Sequence, residues 1–327
     1  MSGAGVALVA GGAGFLGAAV CARLLAAGRR VVCLDDFSTG TPAAIAAFAD
    51  APGFRLVRAD ARDPPAIEAE EVWNFACPAD PTVWPRDPEF VLSSAITGTG
   101  RLLSLARRCG AKFLQASTSE VYGDPELHPQ PETYAGRVDC TGPRACYEEG
   151  KRAAETFCTI ARLRGEDVRV ARLFNAYGPG MRADDGRAVP AFVAAALRGQ
   201  PLVLFGDGSQ TRSFCFIDDI LDGLFALMAL PAAPDGPVNL GGETETSLHA
   251  LALLVCRLAG TPAAIVHVPG RPDDPRRRRP DLARARRLFG FAPRIDLAEG
   301  LARTIAARRE GTPVHAPAIP ASRPDQL

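Results

Sequence analysis

The sequence predicts an α/β fold: a doubly wound parallel sheet with a smaller C-terminal lobe. Three observations lead there. Short apolar runs alternate with longer helix-periodic segments through the first half of the chain, and such alternation implies parallel strands with crossover helices on both faces. The first apolar run ends in glycines spaced three apart. The 327 residues, 47% of them hydrophobic, suffice for one large core with a lobe beside it.

Residues 6–10 read as the first strand, 15–27 as the first helix and 31–34 as the second strand, closing on Asp35 and Asp36. Residues 54–57, 71–76 and 112–116 read as further buried strands, with one long helix over 89–108 between the last two. Residues 168–173 read as another sheet strand. After Asn175 the pattern loosens: helices are expected over 189–198, 219–230, 247–258 and 297–308, and short strands over 201–205 and 213–217. The reading is a sheet domain over 1–175, a lobe over 176–310 with segments near 213–245 returning to the sheet, and a mobile Pro- and Ala-rich tail over 311–327.

Formal net charge is zero, which points away from a nucleic-acid or membrane surface as the main partner. The start of the chain runs straight into glycines and reads as a strand, not a secretion signal, and no apolar run approaches a membrane span. The nine cysteines are scattered and odd in number with no C-x-x-C pair. Reduced packing thiols in a cytoplasmic protein without metal are the expectation.

Gly11, Gly14 and Gly17 fall between the first strand and the first helix. Glycine permits a tight turn and close backbone approach to a pyrophosphate, and the helix N-terminus offers free N–H groups to it, here from the turn that includes Phe15 and Leu16. Spaced glycines alone are weak; the strand, turn, helix, strand and acid order makes this a Rossmann-type dinucleotide site. Asp35, with Asp36 beside it, closes the second strand where an acid binds the adenosine ribose. A carboxylate there repels a 2′-phosphate and no arginine follows at once, so the cofactor is expected to be NAD. Asp60, after the third strand, is placed near the adenine, and Ala76 follows the fourth strand at the same edge.

Tyr147 and Lys151 are four apart, so a helix sets them on one face. A free tyrosine has a pKa near 10; the Lys151 cation and a positive nicotinamide ring are expected to lower it, making Tyr147 a proton acceptor. The segments 11–17, 117–123 (Ser-Thr-Ser-Glu-Val-Tyr-Gly) and 142–152 (Gly-Pro-Arg-Ala-Cys-Tyr-Glu-Glu-Gly-Lys-Arg) resemble the extended short-chain dehydrogenases that act on nucleotide sugars, and most closely the UDP-glucuronate decarboxylases, or UDP-xylose synthases. Segments 74–79, 208–212 and 273–281 are similar to the same family, and the likeness spans residues 5–308.

The resemblance implies oxidation at the sugar C4 with Tyr147 taking the hydroxyl proton, then loss of carbon dioxide from a 4-keto intermediate. It places Thr118 and Lys151 at the developing oxyanion. Ser119 and Glu120 fall on the substrate side, with Glu120 steering ring distortion and handling the C5 proton through water. Pro78, Asn175, Arg187, Gln210, Arg212 and Arg278 are carried over as substrate-binding positions, Arg278 alone from the basic run 276–279. Trp84 stands where the family usually has tyrosine, Ser93 where it has lysine, Ala95 where it has asparagine, and Gly180 and Arg182 where it has arginine and histidine. These departures lead to an expectation of mixed product, UDP-xylose with some UDP-4-keto-pentose. Rival readings are a UDP-glucuronate 4-epimerase, a sugar-nucleotide 4,6-dehydratase (disfavoured by Ser119 where an acid is needed) and a non-catalytic NAD-sensing protein. The family pairs subunits through helices corresponding to 89–108 and 147–162, where Leu92, Ile96, Leu103, Phe157 and Ile160 supply apolar positions, so a homodimer is expected.

Overall fold

Strand β1 (Val6–Ala10) shows why both faces of the sheet are covered. Ala7 and Val9 join one apolar cluster, Leu8 and Ala10 join another, and none of the four is exposed. A period of two with both sets buried is the signature of a parallel sheet between helical layers. The computed structural model describes residues 5–271 and 274–311; the tail expected beyond Gly311 lies outside the described residues.

The first half contains β1, α1 (Phe15–Ala26), β2 (Arg30–Asp35), α2 (Pro42–Ile45), β3 (Phe54–Arg58), β4 (Glu71–Asn74), α3 (Pro88–Ser93), α4 (Thr99–Cys109), β5 (Lys112–Thr118), α5 (Ala145–Leu163) and β6 (Val168–Leu173). The second half adds β7 (Ala176–Tyr177), α6 (Ala188–Leu197), β8 (Leu202–Phe205), β9 (Thr211–Ser213), β10 (Cys215–Phe216), α7 (Ile217–Ala229), β11 (Val238–Leu240), β12 (Glu245–Ser247), α8 (Leu248–Ala259), β13 (Ile265–Val268), β14 (Arg277–Arg278), α9 (Ala283–Phe289) and α10 (Leu297–Glu310). The main sheet has seven strands in the order β11-β6-β5-β4-β1-β2-β3, all parallel. The order reverses between β1 and β4, and the crevice at their carboxyl ends is where such sheets bind ligands.

Three expected elements come out differently. The helix expected over 89–108 is α3 and α4 joined by a π-helical turn, Ser94–Gly98. Its start is set by Asp87, whose carboxylate accepts from the Phe90 N–H at 3.0 Å. The strand expected over 71–76 stops at Asn74, because the Asn74 side chain accepts from the Ala76 N–H at 3.1 Å and turns the chain. The strand expected over 213–217 divides at Phe214: β9 pairs with β12 and β14 in the lobe, whereas β10 pairs with β7.

Buried polar networks tie the layers together. The Asn74 amide donates to Gln115 at 2.8 Å and to Thr99 at 3.2 Å, locking β4 to β5 and to the start of α4. The Ser117 hydroxyl donates to Glu155 at 2.5 Å, and Arg172 pairs with the same carboxylate at 2.7 Å, joining β5, α5 and β6. Where α5 passes the π turn, a Cβ on Gly150 would lie 3.0 Å from the Ala95 Cβ, so two small residues set that spacing.

Helix α1 packs on the glycine turn as closely as atoms allow. A Cβ on Gly17 would sit 2.0 Å from the Gly11 carbonyl oxygen. Gly17→Ala is therefore expected to destabilise the chain by about 1–3 kcal/mol, the usual cost of overpacking. Urea titration of the variant measures it, and an unchanged midpoint would show that the turn can yield.

Candidate active site

One cavity of about 790 Å³ opens at the carboxyl ends of the sheet strands and runs into the C-terminal lobe. Its first half is backbone. Gly11 has φ +72, a left-handed conformation, and a Cβ there would meet the Phe75 carbonyl carbon at 2.7 Å. Gly14, Phe15 and Leu16 line the wall at the N-terminus of α1. Asp35 is buried and accepts from the Ala13 N–H at 2.8 Å and the Phe37 N–H at 2.9 Å. Burial raises its pKa, and those two backbone bonds pull it back. Asp36 and Ala76 also line this half. Asp60 lines it too, but its carboxylate is engaged by the Arg62 guanidinium at 2.6 and 2.9 Å. A glycine cradle, a helix N-terminus and a ribose-side acid fit a dinucleotide bound through its pyrophosphate.

Helix α5 brings Tyr147 and Lys151 to the end of β5. The Lys151 ammonium donates to the Ala116 carbonyl at 2.9 Å and lies 5.8 Å from the Tyr147 ring centre. Thr118 lines the same wall and favours the ionised form of the phenol. The expected depression of the Tyr147 pKa is not seen in the protein alone. Burial pushes it up, with the neighbouring Cys77 and Glu120 adding, while Thr118 and Arg187 pull the other way.

A 3-10 turn, Ser119–Tyr122, follows β5 and is capped by Thr118, whose hydroxyl accepts from the Glu120 N–H at 3.2 Å. The turn buries Ser119 and aims Glu120 at the lobe. There β14 lies parallel to β9 with Arg278 aligned with Arg212. Arg278 is buried there, whereas Arg276 and Arg277 are exposed and paired with Asp124 and Glu245. Arg278 does not stand free in the cavity: it forms a two-pronged ion pair with Glu120, one contact at 2.5 Å. Arg144 pairs with Glu120 as well, and bonds Glu148 at 2.9 Å. Arg212 pairs with Asp274 at 2.8 Å. Burial alone would raise the Glu120 pKa, yet the charges and hydrogen bonds of Arg278 and Arg144 hold it well below the usual carboxylate range. Glu120 is thus a fixed anion, which weighs against the proton-relay role expected of it.

The remaining expected residues line the same cavity. Asn175 has φ +35 and donates to the Ser213 carbonyl at 3.2 Å; the Gln210 amide donates to the Phe205 carbonyl at 2.9 Å; Arg187 is held by Asp185 at 2.6 Å. The Pro78 carbonyl accepts from the Trp84 indole N–H at 3.1 Å. Arg144, Glu148 and Asp274 were not singled out from the sequence. The Arg-Ala-Cys-Tyr-Glu run held the signal for the first two, since Arg144 and Glu148 are four apart and share the helix face next to Tyr147.

Together these features define an α/β protein of the dinucleotide-binding class. The NAD dependent epimerase/dehydratase family model matches residues 7–241, and the chain belongs to that family. It is 44% identical over 296 residues to UDP-glucuronic acid decarboxylase 4 of Arabidopsis thaliana, covering 90% of this chain and 66% of the plant protein. It is 43% identical to UDP-glucuronic acid decarboxylase 3 of the same plant, covering 90% of this chain and 86% of that protein. The structure superposes on the UDP-glucuronic acid 4-epimerase of Bacillus cereus, solved with UDP-glucuronic acid and NAD, with a TM-score of 0.85 at 27% identity, covering 93% and 99% of the two chains.

Burial and the neighbouring Glu120 charge push Glu148 up to about 7 from an ordinary 4.5, against the pull of Arg144. Between those values the folded chain holds more proton than the unfolded chain, so this group makes stability fall as pH rises through the window. Glu148→Gln removes that slope. The variant is expected to lose less stability than the parent between about pH 5 and about pH 8 in urea titrations; equal losses would mean that Glu148 is ionised throughout.

Proposed function

We propose that this chain is an NAD-dependent UDP-glucuronate decarboxylase: it oxidises C4 of the sugar, releases the C5 carboxylate as carbon dioxide and forms UDP-xylose, with UDP-4-keto-pentose as a by-product. The observation that carries the reading is the pairing of Tyr147 and Thr118 with the Glu120–Arg278–Arg144 cluster in one cavity, in a chain 44% identical to a plant protein of that activity. A proton acceptor for C4 and a cationic rim for the sugar carboxylate thus face the same space.

Bound NAD would supply the hydride acceptor at C4 and, once reduced, the hydride that returns there. Gly11, Gly14, Phe15, Leu16, Gly17, Asp35, Asp36, Asp60 and Ala76 are the residues proposed to hold it, Asp35 selecting against a 2′-phosphate. Tyr147 accepts the C4 hydroxyl proton, and Thr118 and Lys151 hold the oxygen where charge develops. The ketone formed lies β to the carboxylate, so the carbon–carbon bond can break with its electron pair passing into an enolate as carbon dioxide leaves. A proton from water reaches C5, hydride returns to C4 and Tyr147 gives its proton back to the C4 oxygen, which completes the pentose. Arg187, Arg212 and Gln210 bind the UDP part, arginine because its planar fork pairs with two diphosphate oxygens.

The 4-epimerase alternative keeps the carboxylate, and the dehydratase alternative needs an acid where Ser119 stands. No helix among the described residues is long and apolar enough to cross a membrane, and we place the enzyme in the cytoplasm as a homodimer. Leu92, Phe157 and Ile160 are exposed in the single chain, as a subunit contact through α3 and α5 requires; Leu103, expected there too, is buried in its own core.

Incubation with UDP-glucuronic acid and NAD, read by mass spectrometry and NMR, is expected to give carbon dioxide and UDP-xylose. UDP-galacturonic acid with no carbon dioxide would replace this reading by the epimerase. Tyr147→Phe is expected to slow single-turnover oxidation by about 10²- to 10⁴-fold while UDP-glucuronic acid still binds. A loss under about tenfold would remove Tyr147 from the role of proton acceptor.

A further inference from the structure

Trp84 is one of two tryptophans in the chain. It is only 4% exposed. Its ring stacks on Tyr147, with centroids 4.6 Å apart and planes 14° from parallel. The Arg144 guanidinium lies over the same ring, 5.1 Å from its centre. The indole N–H donates to the Pro78 carbonyl, which fixes the rotation of the ring. Arg144 and Tyr147 are three apart at the start of α5 and so are neighbours on one helix face. A fused two-ring system can span that distance and touch both, whereas a phenol ring covers one of them.

We propose that Trp84 is a positioning residue: it fixes the plane of the Tyr147 phenol and the orientation of the Arg144 guanidinium. The proton acceptor and the Glu120 cluster are thereby held in one geometry across the sugar. Trp84 touches the phenol from the loop over residues 78–84, while Thr118, Lys151, Cys77, Glu120 and Arg187 surround it from the other elements. The indole also keeps water from one face of Tyr147. Burial is the largest influence on that phenol, so removing the indole eases proton loss even as it loosens the ring.

The proposal rests on Tyr147 acting as the proton acceptor. The test is single-turnover reduction of NAD by UDP-glucuronic acid, followed from about pH 6 to about pH 10 for the parent, W84F, W84A and W84L. Each variant is paired with its KM, its Kd for NAD and a thermal melt. W84A is expected to lose about tenfold to a hundredfold in rate, the scale of a misplaced reacting group, with KM and Kd nearly unchanged. Its rate–pH midpoint is expected to move to lower pH. W84F, which still stacks, recovers most of the rate. W84L fills the space without stacking and carries the same expectation as W84A should the alanine variant fail to fold. Parent-like rates and pH profile in W84A or W84L, equal losses in W84F and W84A, or a loss that sits in KM alone would overturn the proposal. A parent enzyme that releases no carbon dioxide overturns the decarboxylase reading instead; the ratio of variant to parent oxidation, on the nucleotide sugar the parent does oxidise, still decides the role of Trp84.

Discussion

The buried ion cluster around Glu120 is the constraint on which the arrangement of the site depends. Register places Arg278 beside Arg212 on β14 and β9, and both side chains are buried. Like charges so placed repel, and removing a partner from a buried pair costs about 3–5 kcal/mol. Glu120 and Asp274 are the anions that make the pairing tolerable. Glu120 comes from the end of a sheet strand and Arg278 from the lobe, so the contact that neutralises the lobe's arginines is also one that closes the lobe on the sheet. Arg144, from the first turn of α5, enters the same cluster and ties it to the helix that carries Tyr147 and Lys151.

The chemistry proposed for the site draws on this arrangement. Arg144, Arg212 and Arg278 already have their counter-ions in place, so the site does not depend on free buried cations. A carboxylate held well below its ordinary range by two guanidiniums is a steady electrostatic element. The Tyr147 phenol is the opposite case: burial raises its pKa and so favours the neutral form.

Much of the fold was legible because it rests on local periodicity. β1, the glycine turn, α1, β6 and the Tyr147–Lys151 spacing depend on neighbours within a few residues. What was not legible depends on distant partners. Glu120 meets Arg144 24 positions away and Arg278 158 positions away, and nothing in the sequence around Arg144 announces that triangle. Phe214 divides an apolar run because the two halves pair in different sheets, a tertiary fact that alternation cannot report. The π turn at 94–98 was missed for a related reason: its residues keep helical periodicity well enough to read as one helix.

The positions that depart from the family pattern carry a further lesson about reading substitutions singly. Ser93, where the resemblance implies a lysine, accepts from Arg62 at 2.9 Å, so a cation from the loop after β3 lies against it. Ala95 makes room for the close passage of α5 at Gly150. Arg182 donates to the Thr39 carbonyl at 2.9 Å, and the Gly186 N–H donates to Asp80 at 3.1 Å. The segment between them is thus fastened at two points to the sheet domain, and Thr39, Arg182, Gly186 and Asp80 all line the cavity. Each substitution read alone suggests a looser grip on cofactor or sugar. Read with their partners, Ser93 and Arg182 each make a contact of their own, and the segment from Arg182 to Gly186 borders the cavity held at both ends.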